Sequence, residues 1–152
     1  MDKLTFLFNQ LEETIPLSEK LNTSVSKVAA GWHIEHTMLT AIRIIGALEK
    51  SDPSGYHWKF NPTKLFVFTF NKIPRGKGKA PKQVQPNGSA GKDELHHQLQ
   101  ILRSQLTVLL SLQKDQFFDH PYFGHLQLKE AIKFLRIHTK HHLAIINEII
   151  KN

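Results

Sequence analysis

Near the C-terminus, Leu135, His138, His142, Ile145 and Ile149 follow one another at steps of three, four, three and four residues. That rhythm marks the buried seam of a packed α-helix, and a strand cannot reproduce it. Two of the five seam positions are imidazoles, which narrows the possibilities further. Residues four apart stack one turn apart on the same helix face. His138 and His142 therefore lie together where the pattern demands burial. A buried imidazole needs a partner for each ring nitrogen. Two imidazoles aimed at one point in a core suggest a metal ion, because neutral imidazole is a ligand for zinc, nickel, copper and iron. The plainer alternative is a pair of core histidines satisfied by backbone or side-chain partners.

Three other long segments carry helical spacing: residues 3–21, residues 24–49 with Ser24 as N-cap, and residues 93–114. The last of these repeats Leu95, Leu99, Leu102, Leu106, Leu109 and Leu110 at helical spacing. The seam helix covers residues 128–149. Strand signals are weak throughout. With 152 residues, 40% of them apolar, the chain can build one real core. The expectation is an all-α fold, a single domain over residues 1–152. Its architecture would be a four-helix bundle with a long crossover connection between helices 2 and 3. That connection, residues 50–92, is unusually long for a compact domain and points to function or mobility. It opens on the turn cluster Ser51-Asp52-Pro53-Ser54-Gly55. Residues 64–71 fit either a short helix or a short extended piece, and residues 73–91 read as irregular.

Composition restricts the chemistry. There is no cysteine, which excludes disulfides, thiolate ligands and a protein thiol nucleophile. A metal must then be held by histidine and carboxylate, and any reacting thiol must arrive on a co-substrate. No apolar run approaches the ~20 residues of a membrane span. The N-terminus enters a helical pattern directly, without the features of a secretory leader, so a cytoplasmic protein is expected. The net charge is +7. Lys72, Arg75, Lys77, Lys79 and Lys82 concentrate part of it in a Gly/Pro-rich stretch. Such a loop can attract nucleic acid or anionic ligands. It lacks interleaved aromatics for base stacking, and a solvated basic loop is the simpler reading.

The ten histidines fall into groups. His36 lies at the edge of the apolar face of the second helix and is the favoured third ligand. His33 projects further from that face, and the choice between the two stays open. His141 sits beside the seam. His96 and His97 open the third helix as surface or rim residues. Glu35 would either orient a ligand or stand exposed. Three imidazoles on one ion would leave coordination positions open, which marks a catalytic rather than a structural site.

Two stretches carry a resemblance to a known family. One is Gly31-Trp32-His33-Ile34-Glu35-His36. The other is His120-Pro121-Tyr122-Phe123-Gly124, followed by Phe134-Leu135-Arg136-Ile137-His138-Thr139-Lys140-His141-His142-Leu143. In helix order and in these motifs the chain resembles the DinB-like (YfiT-like) superfamily of metal-dependent helical bundles. The resemblance implies a divalent ion held by His36, His138 and His142, with zinc or nickel ahead of iron or manganese. It also implies an enzyme acting on a small molecule, a transferase or isomerase using a low-molecular-weight thiol, and a homodimer; hydrolysis of a small substrate is the other reaction expected of such a metal site. No catalytic residue is assigned by it. The chain departs from the simplest family pattern in placing His33 so close to His36. The basic connection could cover the site and supply substrate contacts from Lys77, Lys79 or Lys82. The rival expectations are a non-catalytic helical bundle binding a partner or nucleic acid through that connection, and a bundle that has lost its activity.

Overall fold

The computed structural model describes residues 2–76, 78–88 and 90–151. Five α-helices are found among them: α1 (Asp2–Glu13), α2 (Ala30–Glu49), α3 (Pro62–Phe70), α4 (Lys92–Ser111) and α5 (Leu128–Ile150). A two-stranded antiparallel sheet, β1 (Phe117–His120) and β2 (Gly124–Gln127), precedes α5. The expected all-α four-helix bundle is thereby corrected. The chain is mixed, with a fifth helix inside the long connection and a hairpin between α4 and α5. Each strand has only four residues, too few for a period-two signal to stand out. Phe118 pairs with Leu126 across the ladder and both are buried, while Asp119 between the two inward residues of β1 is exposed. Gly124 begins β2 at φ 68°, the left-handed region that a side chain disfavours.

The helix boundaries have local causes. α1 stops at Glu13 rather than continuing to residue 21, because Pro16 cannot donate to a continuing helix and the chain tightens into a short 3₁₀ turn. α2 begins at Ala30 rather than after Ser24. Ser24 instead donates its N–H and hydroxyl to Asn22 Oδ1 in a turn. The first free N–H groups of α2 are satisfied by that folded-back segment: Ala30 donates to the Lys20 carbonyl and Gly31 to the Ser18 carbonyl. A glycine suits this close approach, since a Cβ on Gly31 would stand 3.1 Å from the Ser18 oxygen and push it back by a few tenths of an ångström. α5 opens with a capping box between Gln127 and Glu130.

α2 is the central rod, packed against both α4 and α5, and α1 packs against α5. It is buried nearly all round, as a helix with neighbours on several faces must be. The core includes Leu4, Phe8 and Leu11 of α1, Ile34, Met38 and Ile45 of α2, Leu95, Leu99 and Leu102 of α4, and Leu135 and Ile146 of α5. Leu106 and Leu109 of α4 are buried as well, whereas Leu110 is exposed. Arg103 of α4 bonds Glu12 and Asn9 of α1 at the surface.

α3 settles the ambiguity of residues 64–71 in favour of helix. Asn61 caps it by accepting from the Lys64 N–H, Pro62 sits in its first turn, and Asn71 closes it at φ 50°. Only Val67 of α3 is buried, whereas Leu65, Phe66 and Phe70 stand exposed, as do Trp58 and Phe60 just before it. The helix is held at its edge by the Lys64–Glu130 ion pair at 2.7 Å. Among the described residues no helix is long and apolar enough to cross a membrane.

This packing predicts a sharp contrast between two sets of aromatic residues. Phe8→Ala removes a fully buried ring and should lower stability by about 3–5 kcal/mol. Phe66→Ser and Phe70→Ser act on an exposed face and should change it by about 0.5 kcal/mol or less. Urea midpoints measure both, and comparable losses in all three variants would contradict the burial described.

Candidate metal centre

α2 and α5 lie side by side and bring the seam of one onto the other. His36, His138 and His142 are all buried, and each offers one ring nitrogen within 4.8 Å of the others. Their ring centroids are 5.1 Å apart for His36 and His138, 4.8 Å for His36 and His142, and 4.5 Å for His138 and His142. The three expected ligands are thus brought together, and they could hold a metal ion. His33 lies outside the trio. Its Nδ1 is 3.0 Å from His142 Nδ1, and its Nε2 is 2.9 Å from Ser26 Oγ. On the second helix it is His36 that belongs to the cluster, while His33 stands against one of its members.

The surroundings of His36 determine which of its nitrogens is free. Nδ1 lies 2.7 Å from the Val84 carbonyl oxygen. A carbonyl only accepts, so Nδ1–H donates and Nε2 keeps its lone pair for the centre. A backbone carbonyl behind a metal-binding histidine fixes the tautomer and ring angle in this way. Trp32 stacks on the same ring at 5.0 Å.

Burial dominates the electrostatics. His138 and His142 are held well below the usual imidazole pKa, first by loss of solvent and then by the neighbouring histidines. His33 is pulled down to about 4, again first by burial and then by His36, His141 and Arg75. His36 is lowered by burial, opposed by its bond to Val84. His141, half-buried at the rim, is lowered by burial and by Arg75. All these rings are therefore neutral near pH 7, the state in which imidazole can ligate.

The centre sits at the base of a cleft of about 720 Å³. One wall is α2, with Thr40 and Arg43 one and two turns beyond His36. The other is α5, with Phe134 and Ile145. The roof is built from the long connection, including Ile73, Pro74, Lys79 and Val84, and from the hairpin, including Phe118, His120 and Tyr122. Two ties hold that roof. Arg75 makes a paired hydrogen bond to Glu148 of α5 at 2.7 and 2.8 Å. Tyr122 Oη donates to the Lys79 carbonyl and accepts from the Lys79 N–H. The connection thus covers the site, with Lys79 along the cleft. Lys82 is exposed and does not line it, and Lys77 lies outside the described residues.

Several residues differ from the reading of the sequence. His120 carried no site role there, yet it lines the cleft, stacked on Phe123 at 4.2 Å and edge-on to Phe134. Its Nδ1 accepts from the Tyr122 N–H, and burial lowers its pKa to about 4. The only hint in the sequence was its place in the His-Pro-Tyr-Phe-Gly motif. Thr40 also lines the cleft, and its buried hydroxyl has no partner among the described residues. Glu35 is buried rather than exposed, but is not a member of the cluster, and its Oε2 has no described partner. His96 and His97 are exposed and do not line the cleft.

No family model matches this chain, and no solved structure matches it. Among curated proteins, it is similar to "Uncharacterized protein YuaE" of Bacillus subtilis (strain 168), with 31% identity over 78 residues. The match covers 48% of each chain, so this chain spans about half the length of that relative.

The buried rings predict a pH dependence in the metal-free protein. Their folded pKa values lie below the usual 6.5, and for His33 and His120 near 4. Below pH 6.5 the unfolded chain takes up protons that the folded chain refuses, so stability is fully present above that pH and falls as pH falls. Each ring contributes a slope of roughly 1.4 kcal/mol per pH unit until its folded form also titrates. Urea midpoints between pH 7 and pH 4 should therefore drop steeply, and a flat profile over that interval would refute neutral burial.

Proposed function

We propose that this chain is a divalent-metal-dependent enzyme of the DinB-like type, acting on a small molecule by thiol-dependent transfer or by hydrolysis. The observation that carries the reading is the convergence of His36, His138 and His142 from two separate helices at the base of a covered cleft. The donor set fits such an ion. All three rings are buried and electrically neutral, and His36 has its lone pair turned inward by Val84. Zinc or nickel suits three neutral imidazoles best, with iron or manganese next. An ion there would leave coordination positions open and act as a Lewis acid on whatever small molecule enters the cleft.

The chain's own residues account for the rest of the site. Phe118, Phe134 and Ile145 give the cleft an apolar body that displaces water from a bound molecule. Arg43 and Lys79 provide positive charge beside it, opposed by Asp119, and neither cation makes an ion pair among the described residues. A reacting thiol would belong to a co-substrate, since the chain has no cysteine. Binding of nucleic acid through the basic connection has less support. Arg75 is paired with Glu148, and the backbone of Lys79 is bound to Tyr122, which favours a role for this segment at the cleft.

Metal analysis of tag-free protein tests the reading. Wild type should carry a divalent ion in equimolar amount, and His138→Ala, His142→Ala and His36→Ala should each lose most of it. Added zinc at 100 times its dissociation constant should stabilise wild type by about 2.7 kcal/mol through mass action. Equal and negligible metal in wild type and variants would end the proposal.

A further inference from the structure

Each of the imidazoles at the centre has a ring nitrogen that must be accounted for, and His142 has the least ordinary partner. Its Nδ1 faces another imidazole, His33 Nδ1, at 3.0 Å, and both rings are buried. Two neutral nitrogens at that distance share one proton: one donates and the other accepts. His33 is in turn 2.9 Å from Ser26 through Nε2. Ser26 Oγ already accepts the Val28 N–H at 3.2 Å. It retains both a further lone pair and its own O–H, so it can stand at either end of a hydrogen bond with His33.

Only two proton arrangements satisfy this chain of groups. In one, Ser26 donates to His33 Nε2 and His33 Nδ1–H donates to His142. The proton of His142 then resides on Nε2, and the ring presents an N–H to the point where His36 and His138 meet. In the other, every proton is reversed: His142 Nδ1–H donates to His33, and His33 Nε2–H donates to Ser26. His142 Nε2 then offers a lone pair. Both arrangements use the same heavy-atom positions, so the change between them moves protons and not rings.

We propose that Ser26 and His33 form a proton-ordered relay that makes His142 a ligand, with His33 as a positioning residue rather than a ligand itself. This rests on the metal-centre reading above. His33 takes the Nδ1–H of His142, fixes the tautomer and the ring plane, and leaves Nε2 directed at the ion. The Val84 carbonyl performs the same task for His36, but it can only accept. The His142 side is different in kind, because an imidazole partner accepts either proton order. Ligation selects the order in which His142 is the donor.

The test uses the full chain, zinc with a competing chromophoric chelator, and cobalt(II) absorption. His33→Phe should weaken zinc binding by roughly 10–100-fold, the range for loss of an outer hydrogen bond to a ligating histidine. His33→Asn should recover much of that loss, because its carboxamide oxygen can accept the His142 proton. Ser26→Ala should weaken binding less than His33→Phe. In each of these variants the cobalt(II) bands should keep their three-imidazole intensity. Nitrogen-15 spectra of the zinc-loaded wild type should show His142 protonated at Nδ1 and ligated through Nε2. Wild-type affinity in both His33→Phe and His33→Asn would reduce His33 to packing and overturn the relay. A collapse of the cobalt(II) bands in His33→Asn equal to that in His142→Ala, or ligation of His142 through Nδ1, would overturn it in favour of His33 as a ligand. Absence of metal from wild type would overturn the relay together with the metal centre, and is distinguished by the wild-type measurement alone.

Discussion

Excluding water from four imidazoles is the constraint on which the arrangement of this protein depends. A protonated ring in that interior would lack both solvent and a counter-charge, so His33, His36, His138 and His142 are held neutral. A neutral ring has one donor and one acceptor, and each must be matched. Val84 takes the donor of His36, and His33 engages Nδ1 of His142. What remains is a set of nitrogens from two helices directed at one another. The same condition that makes the rings poor bases makes them good ligands.

That condition explains the position of the long connection. Ile73, Pro74, Lys79 and Val84 of that connection and the hairpin turn around Tyr122 line the cleft from the other side, tied to α5 by Arg75 and to each other by Tyr122 and Lys79. Val84 belongs to this roof and also sets the tautomer of His36. The lining of the cleft and the tautomer of a clustered ring therefore come from one segment. A loop that is long and rich in glycine and proline is well suited to that task, because it can follow an irregular path.

The histidine environments also separate roles among chemically identical side chains. His36 is directed by a backbone carbonyl, His142 by a second imidazole, and His120 is packed between phenylalanine rings with its Nδ1 occupied by the Tyr122 N–H. His96 and His97 are exposed and free of these constraints. Fold alone does not assign function. Here the argument for chemistry comes from the convergence of particular ring nitrogens beneath a cleft.

Much of this was legible in the chain itself. The three-four rhythm of Leu135, His138, His142, Ile145 and Ile149 specified a buried helical seam, because helix geometry converts sequence spacing directly into a shared face. The absence of cysteine limited the ligand set in the same direct way. Other features depended on contacts distant in sequence. Periodicity favoured His36 over His33 without closing the choice, because α2 is buried on many sides and its apolar face is broad. The strands of the hairpin were too short to leave a pattern, and Phe118, Leu126 and His120 acquire their meaning only from what they pack against. The role of Val84 had no local signal at all, since it contributes a backbone oxygen 48 residues from the ring that it orients. Helix phase and composition are local properties, written residue by residue. The meeting of α2, α5 and the covering loop is set by burial across the whole chain, and only the folded structure decides it.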